Sequence, residues 1–319
     1  MKWMLLFLAL VAVVGLHFTV GRPALSARPM DATIWKESIV AEGPARAYAE
    51  FKTEYEKKPF ALQHIAAHTI GAALYDSVGT DGFSTCDESF AFGCFHGFFS
   101  RAVADKGAGI IATLADACRA KYGDNATGCE HGIGHGIMEY LGFASLVKGL
   151  ALCDETHQAD PRFGCTSGVF MEYNDRISFS TTSAKNILRK PDSANMHAPC
   201  NTVVPERFRD SCYFEIGLWW KDVLGPEYEK IGNMCADAPA ANRESCWKGW
   251  GAVVAENVGY GAEKAKQLCG LIHEKRGAEF CDLGVAMRFF GTGTETRAGE
   301  RMCEGLDADI ALSCQRLSH

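Results

Sequence analysis

Residues 118–135 read CRAKYGDNATGCEHGIGH, and this stretch decides the fold. Cys118 and Cys129 stand on either side of a segment rich in Gly, Asp and Asn, residues that favour turns. An apolar helical segment ends at the first cysteine, and another begins at the second. We therefore predict a helical hairpin whose two arms are joined by a disulfide.

The same arrangement recurs along the chain, which has 319 residues and 14 cysteines. The cysteines form seven short-range pairs, and the second members of successive pairs are 33–36 residues apart except for one step of 47. This spacing predicts an all-α fold, an α/α solenoid of about seven helical hairpins with a period of about 35 residues. The predicted disulfides are Cys86–Cys94, Cys118–Cys129, Cys153–Cys165, Cys200–Cys212, Cys235–Cys246, Cys269–Cys281 and Cys303–Cys314.

A glycine follows the second cysteine by three residues in five of the copies. These glycines are Gly97, Gly132, Gly168, Gly249 and Gly284. Glycine inside a helix lowers helix stability by about 1 kcal/mol relative to alanine, so helix propensity does not explain why glycine recurs at this position. The pattern predicts that another backbone approaches closely at these positions.

Metal ligation is the alternative role for the cysteines. Zinc sites use closely spaced Cys-x2–4-Cys clusters, and this sequence has no Cys-x-x-Cys. Disulfides are therefore favoured, and they are typical of proteins in oxidising compartments.

The N-terminal segment also indicates export. Residues 1–27 contain an apolar run over positions 4–20 behind Lys2, which predicts a signal peptide or an uncleaved anchor. We expect a periplasmic or extracellular protein that touches a membrane only through this segment.

Residues 28–58 are expected to form a lead-in with a helix near 41–58. Residues 59–319 form the predicted repeat domain, with an insertion loop near 177–198 that accounts for the longer step.

The paired cysteines and the repeat length from Cys86 to Cys314 resemble those of the cysteine-rich Sel1-like repeat proteins. In that family each helical pair carries its own disulfide, and the repeats stack as a secreted solenoid. The cysteines of a pair are farther apart here, and the consensus of that family is not evident. The resemblance therefore implies architecture, and it transfers no activity.

Histidines are distributed unevenly, since six of the ten lie between positions 64 and 157. His64 and His68 are four residues apart, as are His131 and His135, so each pair shares one face of a helix. His96 and His131 both lie two residues after the second cysteine of their repeats. Because equivalent positions of neighbouring repeats stack in a solenoid, His96 should lie beside the second pair.

Two carboxylates extend this pattern. Glu139 continues the face of His135 by one turn, and Glu172 lies near the corresponding place in the next repeat. Imidazole with carboxylate suits Zn, Fe, Mn, Ni or Cu, so we predict a transition-metal site. Its candidate ligands are His64, His68, His96, His131, His135, Glu139 and Glu172. Histidines hydrogen-bonded within the core are the simpler alternative.

Composition narrows the possible functions. The net charge is −7 and no Lys/Arg block occurs, so nucleic acid is not an expected partner. The Gly-x-Ser-x-Gly, phosphate-loop and dinucleotide-binding motifs are absent from the sequence. Two functions stay open: a metal-binding protein or metalloenzyme, and an extracytoplasmic scaffold that binds a protein or peptide in its concave groove. Whether the chain is an enzyme is undecided at this level.

Overall fold

The computed structural model describes residues 31–156, 163–174, 193–259, 261–292 and 296–317. The chain divides into a segment, Met1–Asp31, and a compact unit, Ala32–His319. Apart from Asp31, the first segment lies outside the described residues, and so does the signal or anchor predicted there. The predicted insertion loop also lies largely outside them, since residues 175–192 are not described.

The described part of the chain is all-helical, with no strand in the ranges given above. Its α-helices are α1 (Ala32–Glu42), α2 (Pro44–Tyr55), α3 (Phe60–Val78), α4 (Gly93–Lys106), α5 (Ile111–Tyr122), α6 (Thr127–Leu141), α7 (Leu146–Leu152), α8 (Cys165–Asn174), α9 (Arg209–Leu224), α10 (Tyr228–Met234), α11 (Arg243–Asn257), α12 (Ala262–Cys269), α13 (Lys275–Thr292), α14 (Thr296–Met302) and α15 (Ala308–Gln315). Seven of them pack one against the next in chain order, and we call these the inner helices: α3, α4, α6, α8, α9, α11 and α13.

The predicted disulfide pairing is confirmed. All 14 cysteines are bonded in the seven expected pairs, with Cα–Cα distances of 5.5–5.7 Å, which are ordinary for disulfides. Six of the seven link an inner helix to the segment that precedes it, and the seventh, Cys303–Cys314, ties α15 to the end of α14. Each short loop is therefore closed at the point where the chain turns.

Four of the five recurring glycines mark close backbone contacts between inner helices, as the sequence predicts. The fifth, Gly132, differs, because the atom nearest to an added methyl group would belong to the Phe99 side chain, 3.0 Å away. A methyl group on Gly97 would lie 1.8 Å from the carbonyl O of His68, and one on Gly168 would lie 2.0 Å from that of His131. Gly249 and Gly284 have comparable contacts with backbone oxygens. Only hydrogen fits in these places, so the inner helices approach backbone to backbone and bring their histidines together.

The lead-in contains the helix expected near 41–58, which is α2, and a further helix, α1, for which the sequence analysis made no prediction. The two helices meet at Gly43, which has φ +89°. Pro44 opens α2, where proline is favoured because the first helical N–H needs no partner within the helix. Trp35 of α1 packs edge-on against Phe51 of α2, so the two helices share a small aromatic core.

No single described helix is long and apolar enough to cross a membrane. Helix α6 passes on length and composition only when it is joined to Phe143–Glu155, and the two parts are bent by 113°. Most of α6 is buried, and burial in the core accounts for its apolar composition.

Candidate metal centre

Three histidines meet where α3 contacts α4. His68 Nε2 lies 3.2 Å from His64 Nε2 and 3.2 Å from His96 Nδ1. His64 and His68 share a face of α3 because they are four residues apart. His96 reaches them because the neighbouring Gly97 lets α4 pack directly on the His68 carbonyl.

Two more histidines adjoin this group from α6. His131 and His135 have their Nε2 atoms 3.1 Å apart. His135 Nδ1 donates to Oε2 of Glu172 on α8, 3.1 Å away, so its other nitrogen faces His131. The contact of Gly168 with the His131 carbonyl holds α8 close enough for Glu172 to reach.

His96 lies between the two His-x-x-x-His pairs. Its ring centroid is 5.0 Å from that of His68 and 4.6 Å from that of His135, whereas the latter two are 6.5 Å apart. Two groups of three have donor atoms within 4.8 Å of one another, a spacing that can hold a metal ion. One group is His64, His68 and His96, and the other is His96, His131 and His135.

Burial favours the neutral form of four of these imidazoles, those of His64, His68, His96 and His131. It lowers the pKa of His64 to about 4, and it lowers the pKa values of His68, His96 and His131 well below the usual 6.5. The neighbouring imidazoles lower the pKa values of these three further, because a second positive charge nearby is unfavourable. Neutral imidazole is the form that binds metal.

An unusual turn fixes the orientation of His64. Phe90, Ala91 and Phe92 have φ of +56°, +52° and +61°, in the left-handed region that residues other than glycine seldom occupy. The turn directs the Phe90 carbonyl O at His64 Nδ1, 2.7 Å away. A carbonyl only accepts, so Nδ1 carries the proton and Nε2 presents its lone pair to His68. None of these three residues is glycine or asparagine, so their identity does not indicate a left-handed turn.

The two predicted carboxylates have different positions. Glu172 is buried and contacts His135, so it supports the cluster from outside the groups of three. Its Oε1 is buried without a hydrogen-bond partner among the described residues. Glu139 is partly buried on α6 and belongs to neither group of three found in the described chain. The structure therefore brings the five histidines and Glu172 together, and Glu139 as a ligand stays a prediction.

The histidines open onto a pocket of about 330 Å³, to which all seven inner helices contribute. His64, His96 and His131 form part of its wall, and most of the rest is apolar. Burial raises the pKa of Glu215 in this wall to about 7. The carboxylate accepts a 2.5 Å hydrogen bond from Ser167.

Several pocket residues were not identified from the sequence. Besides Ser167 and Glu215, the wall includes Arg288, which is paired with Glu256. These residues belong to four different helices and form no motif. Four tryptophans close to one another in the sequence are not part of this wall and are buried in the core: Trp219, Trp220, Trp247 and Trp250.

Comparison with known proteins adds no relative, since no family model, curated protein or solved structure matches the chain. The function must therefore be argued from the site itself.

Proposed function

We propose that this chain is an exported helical-repeat protein that binds a transition-metal ion through its histidine cluster. The observation that carries the proposal is the spacing of His64 Nε2, His68 Nε2 and His96 Nδ1, with 3.2 Å between successive atoms. Two nitrogens bound at about 2.0–2.1 Å to one tetrahedral ion lie about 3.3–3.4 Å apart. Two of the three distances between these nitrogens are thus those expected for ligands of one ion, and each of the three histidines has a donor atom within 4.8 Å of the others.

Protons alone satisfy these nitrogens poorly. Phe90 fixes the proton of His64 on Nδ1, so Nε2 of His64 can only accept. Either one N–H on His68 Nε2 is then divided between His64 and His96, or His96 Nδ1–H donates to His68 Nε2 and the lone pairs of His64 and His68 face each other. A cation among the three lone pairs would satisfy all of them at once.

The groups that accept hydrogen bonds from the outer ring nitrogens of the cluster also suit a metal centre. Metal-bound histidines commonly donate their second N–H to a carbonyl or carboxylate, which fixes the ring and strengthens the ligand. His64 does so to Phe90 O, and His135 does so to Glu172 Oε2. Imidazole ligands suit Zn, Cu, Ni or Fe, and Mn less well because it prefers oxygen.

The position of the cluster supports a metalloenzyme more than a scaffold. Three of the histidines line the pocket, so a coordination position left open would face it and could hold water or substrate. A volume of about 330 Å³ suits a small molecule rather than a folded partner. Binding of a protein or peptide in the groove is therefore the weaker proposal.

The architecture proposed with this function is the solenoid of about seven hairpins, akin to the Sel1-like repeat proteins. Sequential packing of the inner helices and one disulfide per hairpin support it. Seven disulfides also suggest an oxidising environment, which supports export.

Metal analysis of the oxidised protein, purified without a histidine tag, tests the proposal. We expect bound transition metal, or uptake of Zn²⁺ or Co²⁺ by the metal-free protein with a Co²⁺ spectrum typical of nitrogen ligands. His96→Ala removes the residue common to both groups and should weaken metal affinity at least about tenfold. His273→Ala, at an exposed histidine outside the cluster, is the matched control. A folded wild type that binds none of Zn, Fe, Mn, Ni and Cu would overturn the proposal. A His96→Ala variant with unchanged metal affinity would overturn it as well.

A further inference from the structure

We infer that the cluster holds two metal ions, with His96 as the ligand that they share. This inference rests on the proposed metal binding and goes beyond it. One ion is held by His64 and His68 of α3, and the other by His131 and His135 of α6.

The number of histidines exceeds what one ion uses. Three protein ligands are usual at a zinc ion that keeps an open position. Five histidines are present, and they separate into two groups of three that have only His96 in common. Two nitrogens on opposite sides of one ion are at most about 4.2 Å apart. The donor atoms of the two helix pairs do not fall within one 4.8 Å group, so one ion does not serve them all.

Each pair also has its own outer partner. The Phe90 carbonyl accepts from His64 Nδ1 in the first group, and the Glu172 carboxylate accepts from His135 Nδ1 in the second. In both cases the remaining nitrogen, Nε2, is directed at the other histidine of the pair. The arrangement is that of two half-sites, each with a ring already oriented for an ion.

His96 completes both half-sites. Its Nδ1 faces His68, and its Cδ2 edge, beside Nε2, lies against Gly132 of α6. One of its ring nitrogens lies within 4.8 Å of donor atoms of both His131 and His135. Imidazole has two ring nitrogens, so it can bind a different ion at each once its N–H proton is lost. The second ion replaces that proton, which passes to solvent, and the ring becomes an imidazolate bridge.

Stoichiometry is the first test. The metal-free, oxidised full-length protein is titrated with Zn²⁺ by calorimetry, and bound zinc is counted by mass spectrometry after gel filtration. We expect two ions per wild-type chain and one ion each for His68→Ala and His131→Ala. His273→Ala should retain two. One ion per wild-type chain would overturn this inference and leave the proposed function standing, whereas no bound ion would refute both.

The bridge is tested with Cu²⁺. Two Cu²⁺ ions joined by an imidazolate couple antiferromagnetically, so the wild type should show less paramagnetic resonance signal than its copper content predicts. His96→Gln, which keeps a polar side chain of similar length in case alanine prevents folding, should bring the signal up to the copper content. Full signal from a wild type that holds two Cu²⁺ ions would show that His96 does not bridge them.

Discussion

At the scale of single residues, the most unusual feature is the left-handed turn of Phe90, Ala91 and Phe92. A left-handed conformation costs roughly 1–2 kcal/mol for each residue other than glycine. The disulfide Cys86–Cys94 closes the loop around this turn, and the result is the hydrogen bond from His64 to the Phe90 carbonyl. Backbone strain of this kind is typical of functional sites, where the surrounding structure maintains it.

Replacing Ala91 by glycine should therefore stabilise the protein. Ala91→Gly removes the steric cost at φ +52°, and we expect the free energy of unfolding to rise by about 1 kcal/mol. Ala104→Gly, on the exposed face of α4, is the control and should lower it by about 1 kcal/mol. Urea unfolding measures both. Equal losses in the two variants would show that the turn is unstrained.

At the scale of helices, glycines set how closely the elements pack. Gly251 of α11 and Gly284 of α13 face each other reciprocally: a methyl group on the first would lie 2.1 Å from Cys281 O, and one on the second 1.9 Å from Lys248 O. A side chain could be accommodated only if one helix moved as a whole, because the obstructing atoms belong to the backbone.

Gly284→Ala is therefore expected to destabilise the protein by about 2–3 kcal/mol, despite the better helix propensity of alanine. Gly109→Ala is the control, because Gly109 is exposed and has nothing within 4 Å of the added carbon. It should change the free energy of unfolding by less than about 0.5 kcal/mol. Thermal or urea unfolding compares the two. Unchanged stability in Gly284→Ala would mean that α11 and α13 can separate without loss.

Features that recur with the repeat could be predicted from the sequence, whereas features that depend on packing between distant helices could not. The disulfide pairing and the glycine contacts repeat with the period of the chain, so each copy supports the others. That register also brought His96 beside the His131 pair. Glu215 and Arg288 could not be found this way, because they reach the pocket through packing that accumulates over many helices. The turn at Phe90 depends on tertiary contacts, and nothing in its own sequence indicates it.

At the scale of the whole molecule, the inner helices enclose buried ionisable groups whose pKa values are shifted in opposite directions. Burial lowers the pKa values of four cluster histidines, among them His64 to about 4, so they favour the neutral form. Burial also raises the pKa values of Glu215 and Asp282 to about 7, so they favour the protonated form. Acidification thus affects the folding of the metal-free protein in two opposing ways.

The sign of each contribution follows from linkage. The four histidines stabilise the folded state fully above pH 6.5, and this stability is lost as the pH falls through their lowered pKa values, of which that of His64 is about 4. Glu215 contributes stability that is complete below its ordinary pKa of 4.5 and is lost as the pH rises toward 7. Four histidines outweigh two carboxyl groups, so the metal-free protein should become less stable between pH 6.5 and 4.5.

Two substitutions should change the pH dependence of the free energy of unfolding, its slope against pH, in opposite directions. Glu215→Gln removes a group that opposes the loss, so stability should fall more steeply on acidification, by about 2–3 kcal/mol over this range. His131→Gln removes a group that causes the loss, so the fall should be shallower. Glu37→Gln, at an exposed glutamate of α1, is the control and should leave the slope unchanged. Urea unfolding in a chelator from pH 4.5 to 7 measures all four proteins. If both pocket variants kept the wild-type slope, the protonation of Glu215 and His131 would not be linked to folding, and the pKa shifts described here would be wrong.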